Sequence, residues 1–259
     1  MTPSLVTRDL SVTYGVVRAL ADANLQVSKG EIVGLIGPNG AGKTTFIDAV
    51  TGFTRSRGVV EFNGENITAM VPHQRARLGL SRTWQAAELF DDLTVAENLG
   101  LADRAGSLKD LISDRFRSKK QDSRSIERVL KLLKLDAISG SLPEELSQGQ
   151  RKLVGVGRAL MGEPDVVLLD EPAAGLDTNE STELGRDLKA IAAEGTGMLL
   201  VDHDMGLVLS VCTHVVVLEF GQVIASGSPA EILRDAKVIA AYIGTDDTEP
   251  VTATKRTKR

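Results

Sequence analysis

The stretch that most constrains this chain is Gly37-Pro38-Asn39-Gly40-Ala41-Gly42-Lys43-Thr44. It follows Glu31 to Ile36, an apolar run of buried-strand length, and leads into Lys43 to Thr51, which reads as a helix. The pattern G-x-x-x-x-G-K-[ST] in that setting lets the backbone curl until successive N–H groups point inward. The helix behind adds the positive end of its dipole. Such a cradle suits phosphate oxygens. Lys43 is placed to supply a point charge to the β- and γ-phosphates, Thr44 a hydroxyl to Mg²⁺, and Thr45 a contact to the α-phosphate. The bland alternative is an ordinary glycine-rich turn, and the strand–loop–helix order weighs against it.

A second feature completes the expected site. Val166-Val167-Leu168-Leu169-Asp170-Glu171 is an apolar strand that ends in two acids. A buried strand has no use for carboxylates at its end unless something charged lies there. Beside a phosphate cradle, that partner is Mg²⁺–ATP. Asp170 suits the metal shell, and Glu171 suits a general base that polarises the attacking water. Two acids at a strand end are weak evidence alone; paired with Gly37 to Thr44 they are strong.

The rest of the chain fits an α/β organisation. Leu5 to Val12, Ala23 to Val27 and Gly58 to Phe62 read as strands, with turns at Lys29-Gly30 and Asn63-Gly64. Met198 to Val201 and His214 to Leu218 are short apolar runs, and Gln222 to Ala225 closes a hairpin through Gly221. Helical patterns between the later runs suit a parallel sheet covered on both faces. About Gln85 to Met161 reads as a mostly helical lobe. It contains a capping box at Thr94 to Glu97 and an amphipathic helix over Asp122 to Leu135, whose apolar positions are Ile126, Val129, Leu130, Leu132 and Leu133. Ser147 with Gln150 forms another capping box, so Ser147 is expected to begin a helix with an exposed N-terminus. From Thr245 the chain turns polar and ends in Lys255, Arg256, Lys258 and Arg259, which predicts a disordered tail.

Composition narrows the function classes. Aromatics are 3% and the formal net charge is −5, which argues against broad base-stacking surfaces and a duplex-binding stripe. Cys212 is the only cysteine and reads as a small buried hydrophobe. No apolar run reaches the length of a signal peptide or a membrane span. The chain itself is expected to be soluble, so any membrane role must come through a partner.

Leu146-Ser147-Gln148-Gly149-Gln150 resembles the signature sequence of ATP-binding-cassette proteins. The common form has Gly where this chain has Gln148. The resemblance spans roughly Leu5 to Gly244 and implies a P-loop NTPase, RecA-like core with a mostly parallel sheet, an N-terminal antiparallel β part and an inserted α-helical subdomain. The implied division is one domain over 1–244, with a core of 1–84 and 162–244, helices over about 85–161 and a tail over 245–259. In such proteins the signature of one subunit closes over ATP held by the other. That assigns Ser147, Gln148, Gly149 and Gln150 to nucleotide binding. Tyr14 then corresponds to the aromatic stacked on adenine, and Gln85 to the loop glutamine that senses Mg²⁺ and water. Ala174-Gly175-Leu176-Asp177 corresponds to the loop that crosses the dimer interface, and His203 to the switch histidine at the γ-phosphate. Alone, Tyr14 reads as structural, and its role rests on the resemblance; His203 alone also reads as structural, but its flanking acids Asp202 and Asp204 and its place in the series reverse that.

Finer features resemble the cassettes of branched-chain amino-acid importers. These are Arg82-Thr83-Trp84-Gln85, Leu89-Phe90, Thr94-Val95, Glu97-Asn98-Leu99, Pro172-Ala173-Ala174-Gly175 and Val238 to Gly244. Motors of urea import and lipopolysaccharide export carry similar segments. The resemblance implies a head-to-tail dimer with an identical or related subunit, integral-membrane permeases, an extracytoplasmic solute-binding protein, and a place on the inner face of the cell membrane. Apolar residues after Gln85 are expected to form a groove for a permease helix, or else to pack the lobe. A soluble cassette acting on DNA or ribosomes is the alternative. The interval of roughly 100 residues between phosphate loop and signature holds no sustained heptads, which weighs against the DNA-repair type. Translation-factor members usually carry two cassettes, and this chain has one. A scaffold without turnover is opposed by intact Lys43, Glu171 and His203.

Overall fold

The computed structural model describes residues 3–83, 89–103 and 118–243. Trp84, Gln85 and the tail from Gly244 therefore lie outside the described residues. In chain order the strands are β1 (Leu5–Tyr14), β2 (Val17–Val27), β3 (Ile32–Ile36), β4 (Arg57–Phe62), β5 (Glu65–Asn66), β6 (Leu80–Arg82), β7 (Val166–Asp170), β8 (Gly197–Val201), β9 (His214–Glu219) and β10 (Gln222–Gly227). The helices are α1 (Lys43–Thr51), α2 (Pro72–Arg77), α3 (Val95–Asp103), α4 (Ser118–Leu132), α5 (Gln148–Leu160), α6 (Thr178–Ala193), α7 (Met205–Val211), α8 (Pro229–Ile232) and α9 (Ala236–Ile243).

The strands form one sheet in the order β5-β4-β1-β2-β10-β9-β3-β8-β7-β6. β9, β3, β8, β7 and β6 pair in parallel, while β1, β2, β4 and β5 pair antiparallel. The expected parallel core and antiparallel N-terminal part are both present. The parallel strands are apolar almost throughout because both faces are covered. Successive residues serve opposite layers. Val167, Leu169, Met198, Leu200, Val215 and Val217 join the core beneath α5, α6 and α7. Val166, Leu168, Leu199, Val201, Val216 and Leu218 join Phe46, Ile47 and Val50 of α1 with residues of β1, β2 and β4. A side-chain period of two thus builds two cores on one sheet.

Sequence expectations held for most elements. α1 runs over the expected residues, and α3 starts at the expected capping box, with Thr94 N–H donating to Glu97 Oε2 at 2.9 Å. Asn63 and Gly64 both have positive φ, as a tight hairpin turn requires. The amphipathic helix begins earlier and ends earlier than expected, over Ser118–Leu132, with Val129 and Leu130 buried in it and Leu133 buried just past its end. Strands β5 and β6 and helix α2 are too short to show a periodic pattern in the sequence. Cys212 is buried, and burial pushes its thiol up to about 12, which leaves it inert. No helix among the described residues is long and apolar enough to cross a membrane.

Candidate nucleotide site

Parallel pairing brings the separate motifs to one edge of the sheet. In the ladder, Leu35 faces Val201, and Val201 faces Asp170. The residues just beyond these, Gly37 to Gly42, Asp202–His203 and Glu171, therefore emerge side by side from β3, β8 and β7. This is the carboxyl end of the strands, where open α/β sheets bind ligands.

The loop after β3 needs its glycines. Gly37 has φ 152°, and a Cβ there would fall 2.1 Å from Leu218 O. Gly42 has φ 103°, and a Cβ there would fall 2.6 Å from Ala19 O. Gly42 is also the N-cap of α1 and offers no side chain to cap it. The first-turn N–H groups of Lys43, Thr44 and Thr45 therefore face the loop as an anion site. Lys43 is buried, and its Nζ donates to Gly37 O at 2.7 Å and to Pro38 O at 3.1 Å. Burial holds its pKa below the ordinary lysine value, while Glu171 and Asp170 pull it back up. Thr44 is exposed at the mouth, as are Asn39 and Gly40.

Asp170 is 3% exposed, and neither carboxylate oxygen has a hydrogen-bond donor. Burial raises its pKa to about 6; Arg82 opposes that rise, and Glu171 adds to it. A buried acid with both acceptors unused fits a hydrated divalent cation. Glu171 is half-buried, with φ 49° and its N–H donating to Val201 O at 2.7 Å. A left-handed non-glycine residue is a strained conformation that the neighbouring strand over-determines. His203 is exposed, its Nδ1 3.8 Å from Asp202 Oδ1. Tyr14 is half exposed on β1, its hydroxyl 3.1 Å from Thr54 Oγ1.

The signature forms its own small unit. Ser147 is the N-cap of α5. Its Oγ accepts from Gln150 N at 3.2 Å, and Gln150 Oε1 accepts from Ser147 N at 2.9 Å. The expected capping box is present in both directions. Gln148 is exposed and lays its amide on the loop 174–177, where a Cβ on Gly175 would lie 2.3 Å from its Nε2. Asp177 caps α6 by accepting from Asn179 N and Glu180 N. Signature and loop 174–177 are thus contiguous within one chain.

A family model described as ABC transporter matches residues 20–174. The chain belongs to the ABC transporter family. A second model, described as branched-chain amino acid ATP-binding cassette transporter, matches residues 222–248. The chain is similar to the probable branched-chain amino acid transport ATP-binding protein LivG of Archaeoglobus fulgidus, at 38% identity over 95% of this chain and 97% of that one. It is also similar to the lipopolysaccharide export ATP-binding protein LptB of Escherichia coli, at 34% identity over 94% and 98%. A crystal structure of a nucleotide-free ATP-binding cassette from an ABC transporter matches with TM-score 0.83 and 32% identity, covering 94% of this chain and 100% of that one. The chain is an ATP-hydrolysing cassette subunit of this family.

Several residues of this ABC ATPase bind the site together through contacts that the sequence does not show. Asp202 is fully buried. Its Oδ2 accepts from Ala173 N at 3.0 Å and its Oδ1 from Asp204 N at 2.9 Å, so it ties the loop after β8 to the loop after β7. Thr83 Oγ1 accepts from Asp170 N at 3.0 Å, which joins the segment leading to Gln85 to the acid. Lys152 Nζ donates to Glu171 O at 3.4 Å and joins the signature helix to the same turn. The signal available beforehand was adjacency alone: each sits within a few residues of a motif.

In the segment after Gln85, part of the apolar surface packs into the lobe. Leu89 is buried and Phe90 is half exposed under Arg158, whose guanidinium lies 5.4 Å from the ring centroid. Asn98 is fully buried. It accepts from Phe90 N and donates to the carbonyls of Phe90, Leu93 and Thr94. The Glu97-Asn98-Leu99 motif therefore staples this segment to α3.

Proposed function

We propose that this subunit powers a membrane importer of branched-chain amino acids. Its own chemistry is to bind ATP at Gly37 to Thr45 and hydrolyse it from Glu171. The meeting of Lys43, at the start of α1, with Asp170 and Glu171, at the end of β7, carries the mechanism. The match over 222–248, together with relatives named for branched-chain amino acid transport, supports the solute class.

Lys43 and the first-turn N–H groups of α1 hold the β- and γ-phosphates, and Tyr14 meets the adenine. Thr44, Asp170 and Gln85 would hold Mg²⁺, directly or through water, and the ion would supply positive charge to offset what develops on the phosphate oxygens. Glu171 takes a proton from the attacking water. Its charge is close enough to Lys43 to pull that lysine's pKa up. His203 contacts the γ-phosphate from the β8 side.

Ser147, Gln148, Gly149 and Gln150 complete the site from a second subunit, placed head to tail, with Ala174 to Asp177 at the contact. One triphosphate shared by two chains makes the nucleotide part of the interface. Hydrolysis then separates the subunits, and permeases gripped by helices of the 85–161 segment change access. An external solute-binding protein feeds the permeases, nucleic acid has no part, and the subunit sits on the inner membrane face. Lipopolysaccharide export is the second reading, favoured by the similarity to LptB.

The test uses cells that lack this chain and are complemented with wild type or Glu171→Gln. Wild type restores uptake of labelled leucine. The variant binds ATP normally, fails to restore uptake, and turns over ATP at least about 100-fold more slowly. Leucine uptake that never depends on the chain rejects the importer reading. Normal turnover by Glu171→Gln removes Glu171 as the base.

A further inference from the structure

Arg82 has no role in the scheme above, yet it touches three of its parts. It ends β6, three positions before Gln85, and its side chain is 8% exposed. Its Nη1 donates to Asp48 Oδ1 at 2.6 Å, and Asp48 lies on α1, the helix that carries Thr44. Its Nη2 lies 3.7 Å from Asp170 Oδ2, and its Nε donates to Thr83 O at 3.4 Å. The Phe53 ring covers the guanidinium, 5.7 Å from its centroid.

A buried cation between two acids is ordinarily a structural pair, with the carboxylates consumed by short hydrogen bonds. That description fits Asp48 and does not fit Asp170. At 3.7 Å the guanidinium exerts its charge on Asp170 but donates no hydrogen bond, and both oxygens of Asp170 keep their acceptor capacity. The planar fork of arginine fixes this asymmetry, because Asp48 clamps one nitrogen and thereby sets the direction of the other. The arrangement aligns a carboxylate electrostatically while leaving it open to a ligand.

We infer that Arg82 is a positioning residue for Mg²⁺. It holds Asp170 in place by charge and, through Asp48, sets it relative to Thr44 on α1. The inference rests on the proposed reading of Asp170 and Thr44 as metal residues. Groups one step behind a metal ligand typically change metal affinity about 10- to 100-fold when removed.

The experiment is binding of a fluorescent ATP analogue to the purified full chain, with and without Mg²⁺, at stepped Mg²⁺ concentrations. Arg82→Gln is expected to raise the Mg²⁺ midpoint at least about tenfold, and to leave affinity in EDTA within about twofold. Arg82→Lys falls between, since one point charge cannot serve both acids. Asp48→Asn shifts the midpoint less than Arg82→Gln. A wild-type midpoint in Arg82→Gln overturns the inference, as does an equal loss of affinity in EDTA, which marks a merely structural role. If Arg82→Gln does not fold, Arg82→Lys and Asp48→Asn decide, and wild-type midpoints in both overturn it. Wild-type binding that ignores Mg²⁺ overturns the metal reading of Asp170 and Thr44 instead, and the inference with it.

Discussion

Two helix N-termini in this molecule carry the two halves of the proposed site, and they are built differently. At α1 the N-cap is Gly42, with no side-chain cap, and the lysine that belongs to the site bonds to Gly37 and Pro38 of its own loop. At α5 the N-cap is Ser147, and a reciprocal capping box uses its hydroxyl and the Gln150 amide. The first terminus leaves its donors for a ligand and adds a full charge. The second satisfies much of itself and offers an exposed hydroxyl. On the proposed reading, a single chain holds nucleotide by α1 alone, and α5 is a lid that gains its partner from a second subunit.

Substitutions at each end test that contrast. The largest effect belongs to Lys43→Ala. Losing two charge-assisted bonds to phosphate, at about 2 kcal/mol each, weakens ATP binding about 1,000-fold, read by titration calorimetry. An unaltered affinity would refute the assignment of α1 as the primary grip.

Next comes a pH effect confined to Asp170. Its folded pKa, about 6, lies above its ordinary 3.8, so the folded state keeps the proton longer than the unfolded state. Its contribution to stability is present below 3.8 and is lost as pH rises through 6. In nucleotide-free protein, the unfolding free energy of Asp170→Asn should gain about 3 kcal/mol on wild type across that window. Parallel denaturation curves from pH 3.8 to 6 would show that burial does not strain this acid.

The smallest effect is that of Ser147→Ala. It removes one cap and costs about 1 kcal/mol of stability. Nucleotide affinity of the isolated chain stays the same, while ATP-driven dimerisation measured by sedimentation is lost. Weakened binding in the isolated chain would place Ser147 in its own subunit's site and end the contrast.

Much of this was legible before the structure, and the legible part is local. The phosphate loop lies within one turn of chain. The boxes Thr94/Glu97 and Ser147/Gln150 each close over three residues, a spacing set by helix geometry. The buried strands show as apolar runs because both faces of a parallel strand are covered. Gln85 was named from its neighbours and falls outside the described residues.

What sequence determined by itself was therefore the set of parts: the phosphate cradle, the acids at a strand end, the capped signature helix. Tertiary structure alone decided how the parts bear on one another. Arg82 meets Asp48 from 34 residues away, Asp202 meets Ala173 from 29, and Thr83 meets Asp170 from 87. These contacts depend on β8 lying between β3 and β7 and on β6 closing the edge. Hydrogen bonds within one turn follow from residue spacing, since the backbone fixes the distance. Bonds across the sheet follow from strand order, which crossover helices and the burial of two core faces settle together, and which no single segment encodes.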